Sequence, residues 1–368
     1  MWWWRPAHTC GAPSDGLRWA SAPGDERVPG RTGLNREVCQ TARVPPNLHR
    51  DRAQPGRPGP HHTDVSTTRL ALTRRRVTER HPWLYPLAVR AHQLRRHVAW
   101  ATSGTRWATR APGTPELPVR VKKHGSLLLR ELSPDEMALQ HNKVVNLRLA
   151  SARTDGVVIR PGETFSFNKV VGNCTARKGY VVGMRLSNGE ARAGVGGGIC
   201  QLANLLHWMF LHSPLTVVER SEHSFDPFPD KSRVLPWGVG CSIVWNYVDL
   251  VVRNDTDTTF MVHTWVEDKH LRGELRADRP VEHSYKVEAR DEEFVRVGDR
   301  VWRRNEIWRS LVDRRTGSVV GEELVKRNCA VVKYPPPEHL VVDLDQDGQR
   351  TTAPRSTTRE GVLSTARS

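Results

Sequence analysis

Features common in exported, membrane-spanning and metal-binding proteins are absent from this sequence of 368 residues. No stretch approaches the roughly 20 consecutive apolar residues of a membrane-spanning helix. The opening run of Trp2, Trp3 and Trp4 is too short for the apolar region of a signal peptide. We therefore expect a chain without an export route: a cytoplasmic protein, or one attached to the membrane at its periphery.

The cysteines lack the spacing of a metal site or of a disulfide framework. The six lie at positions 10, 39, 174, 200, 241 and 329, and no two of them form a CxxC pair. No two histidines have HxxxH spacing either. Scattered cysteines in a chain without an export signal indicate reduced thiols. The sequence therefore predicts no metal and no other cofactor.

The two ends of the sequence have compositions that do not support a folded core. Residues 1–64 contain no Ile, Phe, Tyr or Lys and are rich in Arg, Pro, Gly and Ser. Such a segment cannot bury enough apolar surface to offset chain entropy. We predict that it is disordered, or an extension from a start codon assigned too far upstream. Residues 335–368 are rich in Pro, Ser, Thr, Asp and Arg. This composition predicts a disordered tail at the C-terminal end.

Positive charge is concentrated before the centre of the chain, whose formal net charge is +16. We predict a basic arm at residues 65–119, with an amphipathic helix at residues 86–101. One face of this helix carries four apolar residues: Leu87, Ala91, Leu94 and Val98. The helix could lie on an anionic membrane surface, contact nucleic acid or pack on its own domain. The absence of a recognised nucleic-acid module disfavours nucleic acid as a partner.

The centre of the chain contains two further helical patterns. Ser133, Pro134 and Glu136 supply the cap, the first-turn proline and the capping-box acid of a helix that reaches about Leu149. The second helix follows a glycine run and stops before Pro214. Its apolar residues recur at helical spacing: Leu202, Leu205, Leu206, Met209 and Phe210.

Strand patterns surround these helices and are separated by short polar turns. The predicted strands are residues 157–159, 164–167, 215–218, 242–253, 260–266 and 271–275, with a hairpin turn at 187–189. We predict a short β-rich extension at residues 281–334. The pattern indicates an α+β fold, with an antiparallel sheet or meander and a helix that carries Cys200 at its N-terminus.

Cys200 is the centre of the predicted site, because it follows three glycines and begins a helix. Free N–H groups and the helix dipole favour an anion there, which predicts a lowered thiol pKa. The backbone at Gly197 and Gly198, together with Gln201, could hold a substrate or an oxyanion. The alternative is a tight glycine turn followed by a small buried residue, the usual role of a free cysteine.

A nucleophilic thiol needs a base, and His223 is the best candidate because it follows the strand that leaves the helix of Cys200. Asp226 is the first choice for the group that orients His223. Asn246 and Asp249 are the alternatives, because sequence spacing does not decide among the three.

Three other polar residues near this region have less specific patterns. His207 lies about two turns along the helix from the cysteine, roughly 10 Å away by helical rise. His212 lies at the end of the helix, where it can interact with the final carbonyls. Arg220 could pair with a substrate carboxylate, although a surface ion pair with Glu219 or Glu222 is the ordinary explanation.

Five sequence blocks within residues 120–280 stand out together. They are IRPGETFSF at 159–167, KGY at 178–180, GGGICQ at 196–201, ERSEHS at 219–224 and DLVVRN at 249–254. In content and order they resemble the VanW family of bacterial proteins, named for an accessory gene in glycopeptide-resistance clusters. Some exported proteins with this domain look like L,D-transpeptidases of peptidoglycan. By this resemblance Cys200 would carry the acyl group and His223 would act as the base.

One position differs from the pattern of many family members, which have an acid where this chain has Gly240. The sequence as a whole predicts a cysteine-dependent acyl-transfer or hydrolytic enzyme acting on a peptide or a ligand resembling a cell-wall precursor. The alternative is a non-catalytic accessory or ligand-binding protein linked to the cell wall or to the glycopeptide response.

Overall fold

The computed structural model describes residues 84–129, 134–187, 190–221, 225–226, 229–230 and 234–344. Both predicted disordered ends, apart from residues 335–344, lie outside these ranges, as do Ser133 and His223. The helices are α1 (Tyr85–Thr102), α2 (Pro134–Thr154), α3 (Phe167–Val171) and α4 (Cys200–Leu211). The strands are β1 (Thr109–Arg110), β2 (Val119–Leu127), β3 (Val157–Ile159), β4 (Thr164–Ser166), β5 (Val182–Ser187), β6 (Glu190–Val195), β7 (Thr216–Glu219), β8 (Phe225–Asp226), β9 (Val251–Arg253), β10 (Phe260–Glu267), β11 (His270–Ala277), β12 (His283–Val297), β13 (Arg300–Asp313), β14 (Val319–Val332) and β15 (Val341–Leu344).

The main sheet has the strand order β1-β3-β10-β11-β2, and every neighbouring pair is antiparallel. This confirms the predicted α+β class with an antiparallel sheet. Part of the predicted basic arm joins this sheet, because Thr109 and Arg110 pair with Val158 and Val157. Helices α2 and α4 pack against the sheet and enclose the main hydrophobic core.

The predicted periodicity of α4 is confirmed by its burial. Leu202, Leu205, Leu206, Met209 and Phe210 are all buried, and burying each such side chain contributes roughly 1.5–3 kcal/mol. The helix ends at Leu211, just before Pro214. At this end His212 Nδ1 lies 2.8 Å from the carbonyl oxygen of Trp208, as the sequence predicts.

Helix α2 extends five residues beyond the predicted end at Leu149, to Thr154. Its last turn is fixed by the sheet, since Thr154 Oγ1 lies 2.7 Å from Thr264 Oγ1 on β10. The Thr264 hydroxyl also donates to the carbonyl oxygen of Ser151 at 3.0 Å. These polar contacts come from a distant strand, so local helix signals do not reveal them.

The strand predicted at residues 242–253 is wrong over most of its length, because only Val251–Arg253 forms a strand. The preceding residues make a compact loop that binds α3. Asn168 Nδ2 donates to the carbonyl oxygens of Val244 and Val248 at 3.3 and 3.0 Å. Within the loop, Asn246 has a φ of 52°, which an extended strand does not allow.

The segment predicted as a short extension forms a sheet with the longest strands of the described chain. Its strand order is β15-β12-β13-β14-β8, and its hairpin turns lie near Gly298 and Gly317. Strand β15 pairs in parallel with β12, so the predicted disorder is wrong for residues 341–344. A second core stabilises this region and includes Val287 of β12 and Ile307 of β13.

Candidate functional site

The glycine run forms a turn between the β5–β6 hairpin and α4. The N–H of Gly197 donates to the carbonyl oxygen of Gly194 at 3.0 Å. A Cβ atom built on Gly183 would lie 2.7 Å from the carbonyl oxygen of Gly197, so the two backbones are in direct contact. Gly198 has a φ of 92°, which favours glycine. The turn therefore needs glycine for close packing and for backbone conformation.

Asn146 fixes this turn to helix α2. Its Nδ2 donates to the carbonyl oxygens of Gly197 and Val181 at 2.9 and 3.0 Å, and its Oδ1 accepts from the N–H of Val181 at 2.8 Å. The side chain is completely buried. Sequence patterns missed this residue, because its partners lie 35 and 51 positions away.

Cys200 lies at the first position of α4, as predicted, and is half-buried. Burial raises the pKa of its thiol. Three weaker influences lower this pKa: the backbone N–H groups of Ile243 and of Cys200 itself, which form hydrogen bonds with the sulfur, and the positive charge of Arg185. The effect of burial is larger than theirs. The predicted lowering of the pKa is therefore wrong. Loss of water around the sulfur disfavours the thiolate more than the helix start and the nearby charge favour it.

Two other thiols interact electrostatically with Cys200, and both are free. Cys241 is buried, and its N–H donates to Asn204 Oδ1 on α4 at 2.6 Å. Cys174 forms a hydrogen bond with Tyr180. Burial raises the pKa of both thiols. Across the residues that the structure describes, no three His, Cys, Asp or Glu side chains are arranged to hold a metal ion.

The predicted binding residues have specific structural contacts. Gln201 Nε2 donates to Ser126 Oγ and to the carbonyl oxygen of Leu127, both at 2.8 Å. These bonds attach the start of α4 to β2. Arg220 Nη1 donates to the carbonyl oxygen of Gly238 at 2.7 Å. Both residues therefore help to position the backbone around the site, and their substrate contacts remain predictions.

Asp226, the first choice for orienting His223, is buried in β8. Its Oδ2 accepts hydrogen bonds from Arg303 Nη1 at 3.0 Å and from Tyr334 Oη at 2.8 Å. These bonds attach the carboxylate to the long-stranded sheet. His223 lies outside the described residues, so their pairing remains a prediction.

The alternative carboxylate, Asp249, caps the start of α3. Its Oδ1 accepts from the N–H of Asn168 at 2.9 Å, and its Oδ2 accepts from Ser166 Oγ at 2.6 Å. Burial raises the pKa of Asp249 to about 6. The other alternative, Asn246, is buried, and its Nδ2 donates to the carbonyl oxygen of Gln93 at 3.4 Å. Both residues therefore have structural contacts of their own.

His207 is completely buried on α4, with Nδ1 2.8 Å from the carbonyl oxygen of Val239. Burial lowers its pKa to about 3, and the charge of Arg220 acts in the same direction. The imidazole is therefore neutral at physiological pH. Its Nε2 is buried and has no hydrogen-bond partner among the described residues.

The fold and the site define a class of α+β protein in which a half-buried thiol begins a helix after a glycine turn. The chain belongs to the VanW family. The family model described as VanW like protein matches residues 142–276. The Vancomycin B-type resistance protein VanW of Enterococcus faecalis is 32% identical over 278 residues, which cover 76% of this chain and 100% of that relative.

A shorter similarity extends to the protein YoaR of Bacillus subtilis. It is 38% identical over 96 residues, which cover 25% of this chain and 32% of that protein. No solved structure matches the chain. None of the helices in the described ranges has both the length and the apolar character needed to cross a bilayer.

Proposed function

We propose that this protein is a cysteine-dependent acyltransferase in which Cys200 is the nucleophile. The observation that carries the proposal is the placement of its sulfur at the start of α4, next to the N–H of Ile243. Backbone N–H groups in a site with little water can stabilise the negative charge that develops during acyl transfer. Arg185 adds a positive charge that favours the thiolate.

In the first step, the sulfur of Cys200 attacks the carbonyl carbon of a peptide bond and its proton passes to His223. The C–S bond forms, the C–N bond breaks, and the leaving amine takes the proton from His223. In the second step an acceptor amine attacks the thioester carbonyl. The C–S bond breaks, a new amide forms, the acceptor loses one proton and Cys200 recovers its thiol. Water in place of the amine gives hydrolysis.

The substrate class follows from the family resemblance and from the relative's name. That name refers to vancomycin resistance, and some exported proteins with this domain resemble L,D-transpeptidases of peptidoglycan. We therefore place the substrate among peptides resembling cell-wall precursors. The raised pKa of Cys200 in the free protein means that substrate binding or proton transfer to His223 must accompany thiolate formation.

The test is an assay of the full chain with a cell-wall-type tetrapeptide that ends in D-alanine and with glycinamide as the acceptor. We expect release of D-alanine and formation of the joined product. Cys200→Ala removes this activity, and His223→Ala lowers it by about 100-fold, a typical contribution of a general base. Cys329→Ala, a half-buried cysteine of β14, leaves it unchanged. Activity that survives in Cys200→Ala contradicts the proposal.

A second candidate function is a non-catalytic accessory role in which the site binds a peptide carboxylate. The raised pKa of Cys200 favours this role, because a neutral thiol does not repel an anion. Calorimetry with the same tetrapeptide distinguishes the two functions. The accessory role predicts equal affinity in wild type and Cys200→Ser, with no turnover in either protein.

A further inference from the structure

Helix α1 packs on the domain through the side that carries Gln93, Arg96 and Trp100. Arg96 forms two hydrogen bonds with the carboxylate of Glu219, at 2.6 and 2.7 Å. Gln93 Nε2 donates to the carbonyl oxygen of Trp245 at 3.4 Å. The ring of Trp100 lies 6.2 Å from Trp107, centroid to centroid. Three side chains from successive turns thus attach one side of the helix to the domain.

A lysine strengthens the attachment at the C-terminal end of α1. Lys169 Nζ lies 4.6 Å from the ring centroid of Trp100 and 4.7 Å from that of Trp107. Both distances are typical of cation–π interactions. Because the docked side is held by ionic, hydrogen-bonding and aromatic contacts, its orientation on the domain is defined. The opposite side of α1 is therefore the side presented outward.

The outward side carries a stripe of exposed apolar residues. Leu87, Leu94 and Val98 are 59%, 65% and 52% exposed, and Ala91 between them is exposed as well. At 100° per residue these four positions fall within a narrow stripe, nearly opposite Arg96. A helix that serves only to pack on its own domain places its apolar residues inward. The reversed orientation in α1 leaves this apolar stripe for a partner.

Positive charges flank the apolar stripe on both sides. Arg90 and Arg95 are exposed and lie on opposite flanks of it. The helix contains no Asp or Glu, and residues 65–83 just before it contain five arginines and one glutamate. An apolar stripe between basic flanks is typical of helices that lie in the interface of an anionic membrane. A nucleic acid would use the arginines and would leave the stripe in water.

We propose that α1 docks the protein on an anionic lipid surface. Leu87, Leu94 and Val98 enter the boundary between headgroups and acyl chains, and Arg90 and Arg95 contact lipid phosphates. The attached face of α1 then holds the domain at the membrane. This proposal rests on the exposed face of α1 and is independent of the chemistry of Cys200.

The test is cosedimentation of the full chain with vesicles made of equal parts phosphatidylcholine and phosphatidylglycerol, and with vesicles of phosphatidylcholine alone. We expect the wild type to bind the anionic vesicles more tightly, and high salt to weaken the binding. The triple variant Leu87→Ser, Leu94→Ser, Val98→Ser should lose about 100-fold in partitioning. Arg90→Gln with Arg95→Gln should lose roughly tenfold.

The matched control is Val319→Ser with Val320→Ser, which changes two other exposed apolar residues, 57% and 56% exposed, in β14. It should bind vesicles like the wild type, and circular dichroism should show the same fold in all variants. The proposal is overturned if the wild type binds neither kind of vesicle, or if the serine triple variant binds as tightly as the wild type. It is also overturned if the free chain dimerises through the stripe, so that the triple variant is monomeric while the wild type is not.

Discussion

The side-chain amide of Asn146 donates a hydrogen bond of 2.9 Å to the carbonyl oxygen of Gly197. Helix α2 thereby holds the glycine turn that precedes Cys200. Asn146→Ala leaves this carbonyl and the N–H of Val181 without their partner, while the carbonyl oxygen of Val181 keeps the N–H of Gly196 at 3.0 Å. We expect the free energy of unfolding to fall by about 3 kcal/mol, because unsatisfied buried polar groups are costly.

The matched control lies one turn earlier on the same helix. Asn142 Nδ2 donates to the carbonyl oxygen of Val182 at 2.8 Å, but this bond is exposed to water. Asn142→Ala should therefore cost less than about 1 kcal/mol in urea unfolding. Equal losses in the two variants would contradict the assignment of Asn146 as the anchor of the turn.

A methyl group at Gly197 should disrupt the site. Its Cβ would collide with the backbone of Gly183, which has no flexible side chain to move. We expect Gly197→Ala to lower the free energy of unfolding by about 3 kcal/mol. Gly240→Ala is the control, because its Cβ would meet only Asn204 Oδ1 at 3.9 Å. Thermal unfolding of both variants checks this prediction, and similar melting temperatures would contradict it.

The pKa of Cys200 has a direct consequence for thiol reactivity. Burial raises this pKa, so the thiolate fraction at neutral pH is lower than in an ordinary exposed cysteine. Iodoacetamide should alkylate Cys200 several-fold more slowly than the same residue in the urea-unfolded chain at pH 7, and the rate should rise steeply with pH. Peptide mass spectrometry assigns the modified residue.

Arg185→Gln removes the positive charge that favours the thiolate and should slow the reaction at pH 7 further. Faster alkylation in the folded wild type than in the unfolded chain would show a lowered pKa. That result would contradict the conclusion that burial changes the pKa of Cys200 more than the helix start does.

His207 should make the protein less stable in acid. Its pKa is about 3 in the folded chain and about 6.5 in an unfolded chain. Between these values the unfolded state binds more protons, so the free energy of unfolding falls as the pH falls from about 6.5 towards 3. Urea unfolding of His207→Gln should show a weaker loss, because glutamine can still donate to Val239 and does not titrate.

The exposed His339 provides the comparison for this measurement. His339→Gln should keep the pH dependence of the wild type. A pH dependence that is the same in His207→Gln and in the wild type would mean that His207 does not contribute to acid sensitivity.

Local patterns predicted the parts of the fold that local forces determine. Helix α4 and its first residue, Cys200, follow from apolar spacing, the glycine run and Pro214. The end of α2 and the loop at residues 242–250 were predicted wrongly, because both are fixed by contacts with residues far away in sequence. Thr264 holds the former and Asn168 holds the latter.

The same distinction applies to the site. The sequence pattern placed Cys200 at the start of the helix but predicted a shift of its thiol pKa in the wrong direction. The burial that raises this pKa depends on distant segments, such as the loop of Ile243, that close around the sulfur. Asn146 and Arg185 carry no motif and became visible only through their contacts. The orientation of α1 was also open in the sequence, since its apolar stripe predicted either an inward or an outward face.

Acid quenching of the full chain during reaction with the D-alanine-terminated tetrapeptide tests the central claim most directly. Mass spectrometry of the digested protein should find the acyl group of the donor as a thioester on Cys200, with D-alanine released in equal amount during the first turnover. Cys329 should carry none. Release of D-alanine without an acyl group on Cys200, or an acyl group on a different residue in the active protein, would contradict the assignment of Cys200 as the nucleophile.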